Sequence, residues 1–188
     1  MLRPDRPALA GLVLAAGAGT RFGGPKALAR TSEGQPWSAR LTQTLRAGGC
    51  GRVLVTLGAE REAAALLLPD EAQPVAVEDW RVGVSASLRA GLAAARRAGA
   101  ECVLVVTVDI PDVPVAAVER LAALAGPDAA AQATYGGRPG HPVILGRARW
   151  DEVAASLAAD RGAGAYLRAH GTDIECGDLW SGVDIDRS

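Results

Sequence analysis

The stretch "ECVLVVTVD", Glu101 to Asp109, constrains the fold more than any other part of the chain. Its apolar positions follow one another without alternation, the pattern of a strand covered on both faces inside a parallel sheet. Helices must supply that cover, and the flanking segments suit the task. "ALAGLVLAAG" reads as another buried strand, "GRVLVTLG" as the next and "PVAVED" as a short one. Between them "WSARLTQTLRAGG", "REAAALLL", "SASLRAGLAAARRAG" and "VPVAAVERLAALAG" read as helices. Further on, "AAAQATYGG" and "HPVILG" are strand-like, and helices are expected at about Ala148–Ala158 and Gly162–His170. "TDIEC" and "GVDID" read as closing strands. Alternation of this kind predicts an α/β three-layer sandwich with right-handed crossovers and a mostly parallel sheet. No linker or repeat divides the sequence, so residues 1–188 are expected to form one domain, with 1–8 a loose N-terminal extension. In such folds ligands sit beyond the carboxyl ends of the strands, near the point where strand order reverses.

The residues after the first strand are where chemistry is expected. "LAAGAGTRFGGPKAL", Leu14 to Leu28, gathers Gly17, Gly19, Gly23 and Gly24 around Arg21 and places Lys26 after a proline. Lys26 is the only lysine among 20 basic residues, so the bias toward arginine stops at this position. Glycines let backbone N–H groups turn toward an anion. Arg21 can grip phosphate oxygens with two prongs, and Lys26 adds a compact charge. Bare amides with two cations describe a triphosphate cradle. A Walker loop is excluded, because Lys26 is preceded by Pro25 and followed by Ala27 rather than Ser or Thr. A dinucleotide fingerprint fits poorly: Pro25 interrupts the helix it requires, and no acid stands between Gln35 and Thr44.

Composition narrows the remaining classes. With 21 acidic against 20 basic residues there is no net field to recruit nucleic acid or an anionic membrane. The opening residues do not resemble a signal peptide and no apolar run is long enough to span a bilayer, so a cytoplasmic location is expected. Cys50, Cys102 and Cys176 lie far apart and are expected as free thiols. His141 and His170, the only histidines, have no zinc-ligand spacing with them.

Asp109 ends the strongest strand, which puts its carboxylate at the edge where a triphosphate would lie. A hard oxygen ligand there suits Mg²⁺, which binds one or two carboxylates together with phosphate oxygens and water. Asp184 and Asp186 alternate along the expected terminal strand, so only one of them can face a metal. Ser85 and Ser87 stand at a helix start, where one is expected to act as N-cap. Arg138 and Arg161 are further candidate phosphate contacts. Trp80 is a candidate floor for a base.

The loop signature resembles that of the nucleotidyltransferases, and more narrowly the MobA-like group that builds molybdenum cofactor dinucleotides. "GVSASLRAGL", "TVDIPDVP", "RPGHPVIL" and "GVDID" are similar to that family's later motifs in the same order. The resemblance implies a Rossmann-like, nucleotide-diphospho-sugar-transferase-like fold. It implies transfer of a nucleotidyl group from an NTP to a phosphate-bearing acceptor, most simply molybdopterin, with Mg²⁺ as cofactor and release of pyrophosphate. Carried onto this chain, Lys26, Arg21 and Asp109 become the catalytic residues. Leu14, Ala15, Ala16, Gly17, Gly19, Arg21, Lys26 and Ser87 become the nucleotide-binding set. Asp109 and Asp184 become the metal ligands, and Gly140 and His141 lie on the acceptor side. LAAG in place of LAGG resembles the cytidylyl branch and favours CTP over GTP. A molybdoenzyme or its chaperone is the protein partner the family implies. A sugar-phosphate nucleotidyltransferase, an NAD(P)H-dependent oxidoreductase of the nicotine-blue type and a nucleotide carrier without chemistry remain as alternatives. The chain departs from the family in "GQPWSARL" and lacks the usual continuation after "GVDID".

Overall fold

The computed structural model describes residues 8–185; residues 1–7 of the expected extension and Asp186 lie outside the described residues. The strands are β1 (Leu9–Leu14), β2 (Arg52–Leu57), β3 (Ala72–Ala76), β4 (Cys102–Thr107), β5 (Ala130–Tyr135), β6 (Arg138–Gly146) and β7 (Thr172–Glu175). They form a 7-stranded sheet in the order β3-β2-β1-β4-β6-β5-β7. Neighbours run parallel except where β6 meets β4 and β5, so β6 alone is reversed. The helices are α1 (Trp37–Ala47), α2 (Arg61–Ala65), α3 (Val84–Arg97), α4 (Val115–Ala122), α5 (Trp150–Ser156) and α6 (Gly164–His170).

The unbroken apolar run of β4 is explained by what covers it. Leu104 and Val106 face one cluster, which takes Trp37, Leu41 and Leu45 from α1 and Val118 and Leu121 from α4. Val103 and Val105 face the other, with Leu88 and Leu92 of α3, Trp150 of α5 and Tyr166 and Leu167 of α6. Successive side chains leave a strand on opposite faces, so two helical layers demand apolar residues at every position. The three-layer α/β sandwich is thus the observed fold. No helix among the described residues is long and apolar enough to cross a membrane.

Two expectations need correction. β3 begins at Ala72, before Pro74, rather than at it. It is an edge strand, where a residue that cannot donate to the ladder is tolerated. The closing "GVDID" is not a strand over its described residues. Gly182 adopts φ +71°, outside the extended region, which interrupts any ladder. The segment is held by the Ile185 N–H, which donates to the Asp109 carbonyl at 2.8 Å, and by Ile185 packing against the core.

Candidate active site

Strand order reverses between β1 and β4, whose parallel register runs from Leu9↔Cys102 to Leu14↔Thr107. The connections leave these strands in opposite directions, and a crevice of about 560 Å³ opens beyond their carboxyl ends. Its position follows from topology, and its chemistry from the two segments that enter there.

The first is the glycine loop. Leu14, Ala15 and Ala16 are buried as β1 ends, and the Ala15 N–H donates to the Thr56 carbonyl at 3.1 Å. The chain then turns at Gly19, whose carbonyl accepts from the N–H groups of Phe22, Gly23 and Gly24 at 2.9, 3.0 and 3.1 Å. Only glycine fits there: its φ is +59°, and a Cβ would lie 1.9 Å from the Gly24 carbonyl oxygen. Arg21 stands exposed on the crevice wall. Phe22 packs on Trp37 with ring centroids 5.3 Å apart. Pro25 then starts the 3₁₀ turn Lys26–Leu28.

That turn delivers Lys26 to the second segment. Its Nζ lies 3.2 Å from Asp109 Oδ2 and 5.8 Å from the centre of the Phe22 ring. The other carboxylate oxygen, Asp109 Oδ1, is buried and accepts no hydrogen bond among the described residues. A buried carboxylate oxygen left without a donor is costly unless a cation completes it. The donor set fits a hard divalent ion that takes its other ligands from phosphate and water. Among the described residues no group of three or more His, Cys, Asp or Glu could hold a metal. Asp184 is exposed and does not line the crevice, although Ile185 beside it is tied to Asp109.

The opposite wall is formed by Trp80, Arg81, Val82, Gly83, Val84 and Ser87. Trp80 is half-buried, and the Arg81 guanidinium stacks on its ring at 4.4 Å. Neither serine caps α3, contrary to expectation. Gly83 precedes the helix, and Asp160 from the α5–α6 loop accepts the Val84 N–H at 3.2 Å. The Ser85 N–H meets the Ala159 carbonyl at 3.3 Å. Ser85 Oγ is buried without a partner among the described residues, whereas Ser87 lines the crevice.

His141 and Gly140 line an adjoining pocket rather than the crevice itself. His141 Nδ1 lies 3.2 Å from the Val105 carbonyl. Burial lowers its pKa, opposed by that carbonyl and by the charge of Asp109. Arg138 and Arg161 are exposed and line neither cavity. Burial pushes the thiol of Cys50 up to about 12 and that of Cys102 up to about 11, and all three cysteines are free and buried. None has the lowered pKa of a nucleophile.

The structure therefore brings together Leu14, Ala15, Ala16, Gly17, Gly19, Arg21, Lys26, Ser87 and Asp109 around one crevice. The sequence reading missed Asp160 and Thr107, which also line it. Thr107 was signalled by its place at the end of β4. Asp160 carried no local signal, because the helix it caps starts 76 residues away.

Residues 11–174 match the MobA-like NTP transferase domain. The nicotine blue oxidoreductase of Paenarthrobacter nicotinovorans is 34% identical over 194 residues, which cover 97% of this chain and 94% of that protein. Rv0371c from Mycobacterium tuberculosis H37Rv superposes with a TM-score of 0.79 at 25% identity, over 97% of this chain and 95% of that one. Its complex with manganese gives 0.74 at 25%, over 90% and 88%. A nucleotidyl transferase from Methanothermobacter thermautotroptrophicus gives 0.79 at 20% identity, over 96% and 92%, a likeness of fold.

Proposed function

The chain belongs to the MobA-like NTP transferase family, and on that premise we propose that it moves CMP, or next GMP, from the NTP to a phosphate-bearing acceptor. An acceptor phosphate oxygen attacks the α-phosphorus in line, the bond to the bridging oxygen breaks, and pyrophosphate leaves. Positioning and charge neutralisation suffice for this chemistry, and no covalent enzyme intermediate is needed. Lys26 neutralises charge gathering at the α-phosphate, and Arg21 holds the departing pyrophosphate. A guanidinium at position 26 would spread its fork across the in-line path, which accounts for a lysine there in a chain that otherwise uses arginine. Asp109 would hold Mg²⁺ together with phosphate oxygens and water. When bound, the ion draws charge from the phosphate oxygens and aligns them. Ser87 and the Ala15–Ala16 backbone hold the base. Molybdopterin is the acceptor favoured by the family resemblance, and a sugar phosphate is the alternative.

One observation carries this reading. The sole lysine is bonded to Asp109 while that carboxylate's other oxygen is buried without a donor among the described residues, at the sheet's switch point. The 34% identity to an oxidoreductase supports a second reading, in which the crevice takes NAD(P)H. Thermal stabilisation by CTP, GTP, NADH and NADPH, with and without Mg²⁺, separates the two, since a ligand of the native state raises stability by mass action. A Mg²⁺-dependent shift with CTP is expected. A shift with NADPH alone, indifferent to Mg²⁺, would reverse the assignment.

A further inference from the structure

The loop between α5 and α6 is fastened to the start of α3 at three points. The Arg89 guanidinium of α3 donates to the Leu157 carbonyl at 2.6 Å. The Ser85 N–H donates to the Ala159 carbonyl at 3.3 Å, and the Val84 N–H donates to Asp160 Oδ1 at 3.2 Å. A turn closed by the Arg161 N–H on the Ala158 carbonyl, at 2.9 Å, carries the last two acceptors. Within it Ala159 takes φ +46°, a left-handed conformation that persists only where the surroundings fix it.

The fit leaves no slack. Gly83 precedes α3 with φ +116°, and a Cβ there would lie 2.9 Å from both Cα and Oδ1 of Asp160. With glycine at the cap, α3 has no local side chain to accept its first N–H groups, and a helix start left open frays. Asp160 does from 76 residues away what a neighbouring cap does elsewhere. What it holds is one wall of the crevice, where Gly83, Val84 and Ser87 stand beside it. Val84 and Ser87 are three residues apart, neighbours on one helix face. The bond that fixes Val84 therefore also sets where Ser87 stands. Asp160 is exposed, so water and salt screen its charge, and its acceptor oxygen counts for more.

We propose that Asp160 is a positioning residue for the nucleotide: through the Val84 N–H it sets the first turn of α3 and so places Ser87 against the base. CTP as the ligand comes from the transfer reading above; the docking of the loop on α3 does not depend on it.

The test compares full-length Asp160→Ala, Asp160→Asn, Ser87→Ala and the Asp160→Ala/Ser87→Ala double variant. Each is titrated with Mg²⁺–CTP and with Mg²⁺–tripolyphosphate, which has the phosphates but no base. Asp160→Ala should weaken CTP about fivefold, the scale of one lost hydrogen bond, and leave tripolyphosphate, held by the glycine loop, unchanged. Asp160→Asn keeps an acceptor oxygen without the charge and should restore CTP binding. The double variant should lose no more than Ser87→Ala, because both changes remove the same contact. Without any ligand, hydrogen exchange in Asp160→Ala should quicken at Val84 and Ser85 and stay slow at Phe22, Gly23 and Gly24. Equal weakening of CTP and tripolyphosphate would make Asp160 a general support of the fold. Tighter tripolyphosphate in both Asp160 variants would make it a charge rather than a positioner. Unchanged CTP binding in Asp160→Ala would remove the role altogether. Any of these three overturns the inference. A wild type stabilised by NADPH and not by CTP overturns the transfer reading instead. The positioning role then stands if Asp160→Ala weakens NADPH and Asp160→Asn restores it, and falls otherwise.

Discussion

The nucleotide crevice takes Arg21 and Lys26 from one loop and Asp109 from one strand end, with Arg81 and Asp160 on the far wall. The pocket beside it is assembled from β4, β5, β6, α3 and α6 and has no charged side chain among the described residues. The difference follows from where each lies. At a strand's carboxyl end the backbone leaves its ladder, and a glycine-rich turn can present amides and cations from consecutive residues. Between a helix layer and a sheet, space is what remains after apolar side chains from distant segments have packed. The crevice is built for charge, and the pocket for shape.

That contrast is broken most directly at Lys26. If the crevice works by a compact charge at the α-phosphate, Lys26→Arg should lower turnover by about 10²-fold or more, the usual scale for losing a preorganised electrostatic contact. Pyrophosphate release measures it. Full turnover with arginine would show that charge alone matters there and its shape does not. Asp109→Asn tests the other half of the pair. It should weaken Mg²⁺–CTP at least tenfold, about 1.4 kcal/mol, in a thermal-shift titration with Mg²⁺ varied. Unchanged Mg²⁺ dependence would move the metal away from Asp109.

How far these features can be read in the sequence differs in the same way. The helical layers were legible because β4 is apolar from Cys102 to Val106, and Lys26 stood out by being alone of its kind. The crevice residues were legible because they are contiguous or end a strand. The reversal of β6 was not, since "AAAQATYGG" and "HPVILG" show two strands but not their relative direction. Asp160 was hidden because its partner, the first N–H of α3, is remote in the chain. His141, expected on the acceptor side from the resemblance, lies in an adjoining pocket made by packing, which no local pattern encodes.

Ser85 and Ser87 sharpen the comparison within a single helix turn. Both are buried, but Ser87 lines the crevice while Ser85 Oγ has no partner among the described residues. Ser87→Ala should weaken CTP by about 1 kcal/mol, roughly fivefold, the worth of one hydrogen bond. Ser85→Ala should leave CTP affinity unchanged and hold or slightly raise the melting temperature, because it removes an unsatisfied hydroxyl. Equal losses in both variants would mean that the helix start responds as a unit and that Ser87 has no contact of its own.

The smallest expected effect concerns the frame behind the second pocket. Glu175 accepts from the N–H groups of Gly136, Gly137 and Gly177 at 2.9, 3.2 and 2.9 Å and from Thr134 Oγ1 at 3.0 Å. It thereby fastens β7 to the hairpin that carries Gln132, Gly140 and His141. These donors favour the charged form, with the Gly136 amide the largest influence, and hold the carboxyl below its ordinary 4.5. A carboxylate with a lowered folded-state pKa contributes its full stabilisation above the unfolded value and loses it as pH falls through the folded one. The hairpin should therefore loosen on the acid side of 4.5, while the crevice, on the other side of β4, keeps its loop hydrogen bonds. Hydrogen exchange reads this locally. Glu175→Gln at neutral pH should speed exchange at Gly136, Gly137 and Gly177 and leave Phe22, Gly23 and Gly24 protected. Faster exchange in both sets would show that the two cavities share one cooperative frame rather than two.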